Sequence, residues 1–316
     1  MQWLPFWPPD ASNTAASIDK IFIGELSLSL VILCFVFGMM IVFGVRYRRN
    51  SAADRSNLVK KTWHWELTWT TGSLAVFLAL FVWGANMYLW LYEPPRHPDL
   101  EIYVVAKQWM WKAEHPGGQR EINEVHLPVD KVVRLLLTSE DVIHDFFVPA
   151  FRVKHDVLPG QYQTLWFKPT ETGRFRLECA QYCGTQHAHM IGDIVVQSQA
   201  DYARWLSQQG VHKSLAQQGE QLFRSFGCSG CHGANSTVHA PSLTGLYGRV
   251  VHLQDGTTTT ADERYLRDCI LLGASHIQVA GYPPIMPSFA GQIGEDDLMK
   301  LVAYIQSLSR QQQASP

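Results

Sequence analysis

Two long uncharged apolar stretches, residues 26–45 and 67–92, constrain this chain more than any other feature of its sequence. Each is long enough to cross a bilayer as a helix, because about 20 apolar residues span roughly 30 Å of hydrocarbon. Buried core helices of a soluble protein are the alternative, but two uncharged runs of this length are unusual in such cores. The sequence therefore predicts a transmembrane helical hairpin within residues 1–95.

The loop between the two apolar stretches predicts the orientation of this hairpin. Residues 46–61 contain a single acidic residue, Asp54, against six basic ones. Loops rich in Lys and Arg stay on the cytoplasmic side of a membrane. The short N-terminal tail and everything after residue 92 are therefore predicted to lie outside. The six basic residues are Arg46, Arg48, Arg49, Arg55, Lys60 and Lys61.

The segment that follows the second apolar stretch has the pattern of a β-rich domain. β-branched and aromatic runs at 101–106, 132–138 and 164–167 are separated by turns rich in Pro, Gly and Asp. Several short strands at this spacing favour a β-sandwich or barrel. The formal net charge of −2 argues against a nucleic-acid partner, because binding nucleic acid needs a basic surface.

The last third of the chain has the pattern of a helical domain. A polar, Gln-rich stretch at 198–210 is predicted to form a helical linker. Beyond it, apolar residues at helical spacing predict helices at 215–226, 262–272 and 295–308.

A dense group of soft metal ligands lies between residues 179 and 190. Thiolate, imidazole and thioether donors together favour copper over hard cations. A mononuclear blue-copper site needs only one cysteine, so the second thiolate suggests two copper ions bridged by two sulfurs. Such a site requires a further histidine, for which His144 is the candidate. The cluster consists of Cys179, Cys183, His187 and Met190.

Two other interpretations of this cluster stay open at this point. In an oxidising compartment Cys179 and Cys183 could form a disulfide, which would leave His187 and Met190 without a role. Zinc could also bind, although a thioether is a poor zinc ligand. The copper interpretation explains all four side chains.

The sequence Cys228-Ser-Gly-Cys231-His232 is a C-x-x-C-H motif, which is typical of covalent haem c attachment. Two thiols at this spacing can reach the two vinyl groups of the haem while the adjacent imidazole meets the iron. The segment around Met286 resembles the loop that supplies a methionine on the opposite face, and this pair of ligands suits electron transfer. Pro241 resembles the proline whose carbonyl orients the haem histidine. A thioredoxin-like redox pair is the alternative, but no strand–helix context of that kind is visible.

Both cofactor motifs resemble known families. The copper cluster, with residues 108–111, 139–144 and 153–160, closely resembles subunit II of haem–copper oxidases. That resemblance runs from the first apolar stretch to about residue 196. Residues 215–308 resemble class I cytochromes c.

The two resemblances together imply a multi-domain chain. It has a two-helix transmembrane hairpin in residues 1–95 and a cupredoxin-like β-barrel carrying copper A in residues 96–200. Residues 201–316 would form a linker and an all-α class I cytochrome c domain. The fused arrangement resembles the cytochrome caa type of oxidase. Its tether would raise the effective concentration of the cytochrome near the copper domain.

Individual residues inherit roles by their match to the subunit II motif. Trp109 matches the exposed tryptophan through which the family receives electrons. Glu66 matches a glutamate at the cytoplasmic mouth of a proton path into subunit I. Gln181 stands where many members have a glutamate that helps to hold magnesium, so that role is in doubt here. The ligands implied for the binuclear copper A centre are His144, Cys179, Cys183, His187, Met190 and the backbone carbonyl of Gln181.

The resemblance implies an electron conduit within a bacterial inner-membrane oxidase. Electrons would pass from one covalently bound haem c to copper A and on to haem in subunit I. Oxygen would be reduced to water there, coupled to proton translocation. Subunits I and III are the expected partners, and the donor would be a cytochrome c or a quinol:acceptor complex. The haem domain is nearly neutral, which predicts no strong electrostatic steering of a basic donor.

Two rival functions belong to other classes. A membrane-anchored copper chaperone or redox sensor would need freely exchanging copper, and the added haem domain argues against it. The electron-input subunit of a reductase for another acceptor, such as a nitrogen oxide, is harder to separate because the acceptor binds elsewhere. A quinol-oxidising relative is disfavoured because that branch generally lacks the copper ligands.

Overall fold

The computed structural model describes residues 7–53, 61–93, 95, 97–209, 213–233 and 236–313. The chain divides into two compact units. One is Asn13–Pro94, and the other combines Met1–Ser12 with Pro95–Pro316. Each unit is described by itself below.

The smaller unit consists of two long helices, α1 (Asn13–Arg46) and α2 (Trp63–Tyr92). Both are long and apolar enough to cross a membrane, and their most apolar windows are not buried by the rest of the chain. The helices approach closely at Gly24, where a Cβ would meet the Trp83 ring at 2.9 Å. These features agree with the predicted hairpin. Its orientation stays a prediction, because Asp54, Arg55 and Lys60 of the basic loop lie outside the described residues.

The larger unit begins with a sandwich of two five-stranded sheets. The strands are β1 (Leu100–Lys107), β2 (Met110–Glu114), β3 (Arg120–Ile122), β4 (Glu124–Pro128), β5 (Val133–Ser139), β6 (His144–Val148), β7 (Val153–Val157), β8 (Gln163–Phe167), β9 (Gly173–Cys179) and β10 (Ile191–Gln197). The first sheet has the order β3-β2-β1-β5-β8 and the second β4-β10-β9-β6-β7. Most neighbouring strands are antiparallel, whereas β1 pairs with β5 and β4 pairs with β10 in parallel.

Large apolar side chains fill the space between the two sheets. Trp111, Phe146, Phe151 and Phe167 are fully buried there. The three strands predicted at 101–106, 132–138 and 164–167 correspond to β1, β5 and β8. The β-rich domain is therefore a cupredoxin-like sandwich, as the sequence predicts.

The C-terminal part of this unit is mainly helical. The predicted helices at 215–226, 262–272 and 295–308 correspond to observed ones, and the predicted linker forms a helix. The domain also contains a small β-hairpin that the sequence analysis did not predict. The Asp255-Gly256 dipeptide at its turn is a typical hairpin sequence, and Gly256 has a φ of 85°. The elements are α3 (Gln199–Gln208), α4 (Leu215–Ser225), α5 (Ser229–His232), β11 (Val250–His252), β12 (Thr258–Thr260), α6 (Glu263–Leu272) and α7 (Glu295–Gln313).

The crossing of α4 and α7 holds the helical domain together. Gly219 on α4 lies so close to α7 that an added Cβ would sit 1.9 Å from the Lys300 carbonyl oxygen. Only glycine fits this approach. Around the crossing, Phe223, Leu298, Leu301 and Val302 are buried in one apolar cluster.

Candidate metal and haem sites

The predicted copper ligands come together at one end of the sandwich. Cys179 ends β9, and the loop that follows carries Cys183 and His187 back to Met190, just before β10. His144 approaches from the neighbouring strand, where it is the first residue of β6. Four of these five side chains are buried, and only His187 is half-buried. Burial of so many donors around one point is typical of a metal site.

The distances between the donor atoms define a compact site. The two sulfurs, Cys179 Sγ and Cys183 Sγ, lie 3.8 Å apart. His144 Nδ1 lies 3.9 Å from Cys179 Sγ, and His187 Nδ1 lies 3.5 Å from Cys183 Sγ. Met190 Sδ is 3.9 Å from Cys183 Sγ. The backbone oxygen of Gln181 lies 3.2 Å from Cys179 Sγ, while its side chain is exposed.

These distances bear on the two alternative interpretations of the cluster. A disulfide requires sulfurs at about 2.05 Å, so Cys179 and Cys183 are free thiols in this structure. The Met190 side chain is fully buried, with its sulfur beside that of Cys183. A zinc ion would not explain this position, because a thioether is a poor zinc ligand. The donor set fits a soft copper centre best.

The pKa values of the two thiols shift in opposite directions. Burial raises the pKa of Cys179, but hydrogen bonds from His144 and from backbone groups outweigh it and lower the pKa to about 7. Burial and the adjacent Cys179 thiolate raise the pKa of Cys183 to about 12. Two neighbouring thiolates repel each other, so the second one needs a cation beside it. A cation beside the two sulfurs would relieve this repulsion.

Asp141 orients the histidine at this site, a role that the sequence did not reveal. Its Oδ1 lies 2.9 Å from His144 Nε2, and its carboxylate also accepts the backbone N–H groups of Gln108 and Val142. Burial raises the pKa of Asp141, but these hydrogen bonds outweigh it and keep the pKa lowered. The carboxylate thereby leaves His144 Nδ1 directed at Cys179. In the sequence, the position of Asp141, three residues before the predicted ligand His144, could have indicated this role.

Trp109 contacts the copper loop directly. Its indole Nε1 donates a hydrogen bond to the Cys183 carbonyl at 3.2 Å. Gln108 Nε2 donates to the same oxygen at 2.8 Å. The ring is half-buried and packs against the sandwich core. This places the predicted electron-receiving tryptophan one hydrogen bond from a predicted copper ligand.

The residues predicted to hold haem line one cavity in the helical domain. Cys228, Cys231, His232, Pro241 and Met286 all border it, and most of the remaining wall is apolar. His232 Nδ1 lies 2.9 Å from the Pro241 carbonyl oxygen, which leaves Nε2 free to bind iron. Other wall residues are Phe223, Phe226, Leu266, Ile270, Leu301 and Ile305.

The cysteines of this cavity do not resemble a thioredoxin-like pair. Burial raises the pKa of the Cys228 thiol, whereas a redox-active cysteine of that class has a lowered pKa. Cys228 and Cys231 border an apolar cavity with an oriented imidazole beside them. This surrounding fits covalent haem attachment.

Glu66 lies in the first turn of α2, at the beginning of the second apolar helix. Thr62 Oγ1 donates a hydrogen bond to its carboxylate at 2.5 Å. The side chain is exposed. Its role in a proton path stays a prediction.

A two-sheet sandwich with this sulfur and imidazole cluster, joined to a domain with a C-x-x-C-H cavity, defines a membrane-anchored electron-transfer protein. Residues 78–199 match the family model of the cytochrome c oxidase subunit II periplasmic domain, and residues 216–309 match that of cytochrome c. The chain belongs to the cytochrome c oxidase subunit II family and carries a cytochrome c domain at its C-terminal end.

Individual relatives support this assignment over most of the chain. Cytochrome c oxidase subunit 2 of Alkalihalophilus pseudofirmus is 28% identical over 310 residues, covering 92% of this chain and 86% of the relative. An alternative cytochrome c oxidase subunit 2 of Bradyrhizobium diazoefficiens is 30% identical over 250 residues, covering 67% and 86%. The solved periplasmic domain of subunit II from Bradyrhizobium japonicum is 35% identical over 37% of this chain and 96% of its own, with a TM-score of 0.36.

The family identifies the chain as a component of a haem–copper terminal oxidase, which is an oxidoreductase. This confirms the resemblance drawn from the sequence motifs. It favours the oxidase subunit over the copper chaperone and over the reductase for another acceptor.

Proposed function

We propose that this chain is the electron-input subunit of its oxidase. Electrons would pass from haem c to a binuclear copper A centre and then to haem in subunit I, where oxygen is reduced to water with proton translocation. When bound, haem c and copper A supply reversible one-electron chemistry. The observation that carries the proposal is the convergence of two cysteine sulfurs, two imidazoles, a thioether and a backbone carbonyl at one end of the sandwich.

The chain's own residues would hold the copper pair as follows. Cys179 and Cys183, whose sulfurs lie 3.8 Å apart, would both bind the copper. His144, His187 and Met190 each lie within 3.9 Å of one of these sulfurs and would complete the donor set. Asp141 holds the proton on His144 Nε2, so that Nδ1 stays available as a ligand. The buried surroundings keep water away from the sulfurs.

The haem would be held by residues of α5 and two loops. Cys228 and Cys231 provide the thiols for attachment, and His232 is oriented by the Pro241 carbonyl. Met286 lines the same cavity and would provide a second ligand to the iron. The apolar wall would exclude water from the haem faces.

Gln181 changes what this site can do beside the copper. Its backbone carbonyl supports copper ligation, and this contribution is independent of the side chain. The exposed amide is neutral, so it would hold a magnesium less strongly than a carboxylate would. We therefore propose copper binding without a strong magnesium ligand at this position.

The assembly and location follow from the same proposal. Subunit I would receive the electrons, subunit III would complete the complex, and a cytochrome c or a quinol:acceptor complex would be the donor. Both ends of the chain would lie on the outer face of the bacterial inner membrane. Trp109 would receive electrons, and Glu66 would stand at the inner mouth of a proton path.

Metal and haem analysis of the purified full-length chain, with optical and EPR spectra, tests this proposal. Two coppers per haem, with a mixed-valence signal shared over both coppers, are expected. One copper, zinc, or a Cys179–Cys183 disulfide would contradict copper A. The variant Cys183→Ser should lose the mixed-valence signal. Cys269→Ser, which changes a half-buried cysteine of the haem domain, is the matched control and should keep it.

A further inference from the structure

Both faces of the first sheet of the copper domain carry buried apolar side chains. On β1, Ile102 and Val104 point into the sandwich, while Tyr103 and Val105 point outward and are also buried. Leu136 on β5 lies beside Tyr103 in the parallel register and shares the outer face. An outer face of a two-sheet sandwich normally meets water and is polar. Because the apolar side chains on this outer face are buried, another part of the chain packs against it.

The cytochrome c domain covers this outer face. Tyr103, Val105, Leu136 and Tyr162 belong to the same apolar cluster as the buried residues of α6 and α7. The shared cluster means that the two domains do not have separate cores on this side. Undocking would expose large apolar side chains of both domains at once.

A carboxylate of the cytochrome domain lies at the centre of the polar contacts across this interface. Glu263 Oε1 accepts a hydrogen bond from Arg134 Nη2 of the copper domain at 3.2 Å. Gln306 Nε2 donates to the same oxygen at 3.1 Å, and the Tyr247 hydroxyl also donates to it. Arg134 pairs with Glu101 as well. The side chains of Arg134, Glu101 and Glu263 are only 18%, 10% and 12% exposed.

Tyr103 extends this network across the interface. Its hydroxyl lies 3.0 Å from Glu101 Oε1 and 3.3 Å from Gln306 Oε1. Burial and the Glu101 carboxylate hold the pKa of Tyr103 well above its usual value, so the group stays a neutral donor. Removing one partner of such a buried pair is costly, because the remaining charge then stays in the interface without its partner.

The linker helix α3 is attached to the copper domain too. The Tyr202 hydroxyl lies 3.0 Å from His115 Nδ1, and the Trp205 ring stacks on His126 with ring centres 4.5 Å apart. Beyond the linker, the Leu215 N–H at the start of α4 donates to the Pro116 carbonyl of the copper domain. Six residues connect α3 to α4, a path that reaches at most about 25 Å when extended.

We infer that the cytochrome c domain is a permanently docked module of this chain, held on the outer face of the first sheet, and not a domain that swings on a tether. The Arg134–Glu263 contact and the apolar face around Tyr103 fix its orientation. Under the proposed function, on which this consequence rests, electrons cross between two domains of fixed geometry. An external donor must then approach the cytochrome on a side other than α6 and α7.

Cutting the linker tests this inference. A protease recognition sequence is inserted between α3 and α4 of the full-length chain, which is purified in detergent and cleaved. Covalent haem marks the released fragment, and gel filtration follows it. The haem-bearing fragment should co-elute with the membrane-anchored fragment. Separation of the two wild-type fragments at micromolar concentration would overturn permanent docking.

Two variants test the residues that hold the domain. Arg134→Gln combined with Tyr103→Phe should raise the dissociation constant of the cleaved fragments by about 10-fold to 100-fold, the range for charge-assisted hydrogen bonds. Lys131→Gln is the matched control, because its ion pair with Asp99 is exposed and stays within the copper domain. An unchanged constant in the double variant would overturn the assignment to Glu263. An unaltered haem spectrum shows that the cytochrome fold is intact.

This readout is separate from the proposed function. Co-elution needs neither bound copper nor electron transfer. A chain that keeps its fragments together but lacks copper A would contradict the proposed function and support docking. A chain that holds copper A but releases its haem fragment would support the proposed function and contradict permanent docking.

Discussion

Asp141 Oδ1 lies 2.9 Å from Nε2 of His144, while Nδ1 of the same ring lies 3.9 Å from Cys179 Sγ. The Asp141 carboxylate thus binds Nε2 of the ring and leaves Nδ1 facing the sulfur of Cys179. The carboxylate is itself fixed by two backbone N–H groups, so the ring has little freedom to turn. The copper site therefore depends on a residue that would not touch the metal.

Replacing this carboxylate should weaken copper binding without removing the site. Asp141→Asn loses the negative charge and can present its amide to the ring, so copper affinity should fall by about 10-fold to 100-fold. Competition titration with a copper chelator measures the affinity, and EPR reports any change in the mixed-valence signal. Asp99→Asn, an exposed aspartate paired with Lys131, is the control and should leave both unchanged. Equal affinity in Asp141→Asn and wild type would contradict the orienting role.

Most of the candidate copper and haem ligands could be assigned from the sequence because they lie in short, local motifs. Cys179, Cys183, His187 and Met190 fall within one loop, and Cys228, Cys231 and His232 are nearly adjacent. Their donor atoms point to soft metals and to haem whatever the surrounding fold. His144 lies outside this loop, on a different strand, and the family resemblance strengthened its assignment.

The docking surface was missed because its signal is tertiary. The central residues of β1 and β5 are apolar, and both sequence neighbours of Tyr103 and of Leu136 are apolar too. That pattern predicts a strand buried on both faces. The sequence does not say which element covers the second face. The contact between Arg134 and Glu263 joins residues 129 positions apart, and no local pattern connects them.

Removing the candidate axial methionine should lower the reduction potential of the haem. A thioether ligand stabilises the reduced iron, so Met286→Ala should lower the potential by on the order of 0.1 V. Redox titration of the full-length chain measures this shift, and the optical spectrum reports the change in iron coordination. Met299→Leu replaces a methionine buried in α7 and should leave the potential unchanged. An unaltered potential in Met286→Ala would mean that another group ligates the iron.

Adding a side chain at Gly219, where α4 and α7 cross, should destabilise the helical domain. In Gly219→Ala the new Cβ would meet the Lys300 carbonyl at 1.9 Å, so the helices must move apart. Overpacking of this kind costs about 1–3 kcal/mol in the free energy of unfolding. Urea denaturation followed by haem absorbance measures it. Gln221→Ala changes an exposed position of the same helix and should shift the midpoint little.

Glu121 should make the copper domain sensitive to acid. Its carboxylate lies 2.7 Å from His115 Nε2 and 2.5 Å from His126 Nδ1, and it accepts the His126 N–H at 2.9 Å. Burial raises the pKa of this carboxyl, but the hydrogen bonds outweigh burial and lower it to about 2. A carboxyl with a lowered pKa in the folded state stabilises that state above its unfolded pKa. This contribution is lost as the pH falls from about 4.5 towards 2.

The size of the effect follows from the same shift. A pKa lowered from 4.5 to about 2 corresponds to roughly 3 kcal/mol at neutral pH. Glu121→Gln should therefore lower the urea midpoint at pH 7 and flatten its dependence on pH between 4.5 and 2. Glu124→Gln, which alters an exposed carboxylate paired with Arg174, should keep the wild-type pH profile. Because Tyr202 and Trp205 pack on the same two histidines, Glu121→Gln should also loosen α3, seen as faster amide exchange in that helix. Parallel pH profiles for wild type and Glu121→Gln would show that the buried carboxylate does not stabilise the fold.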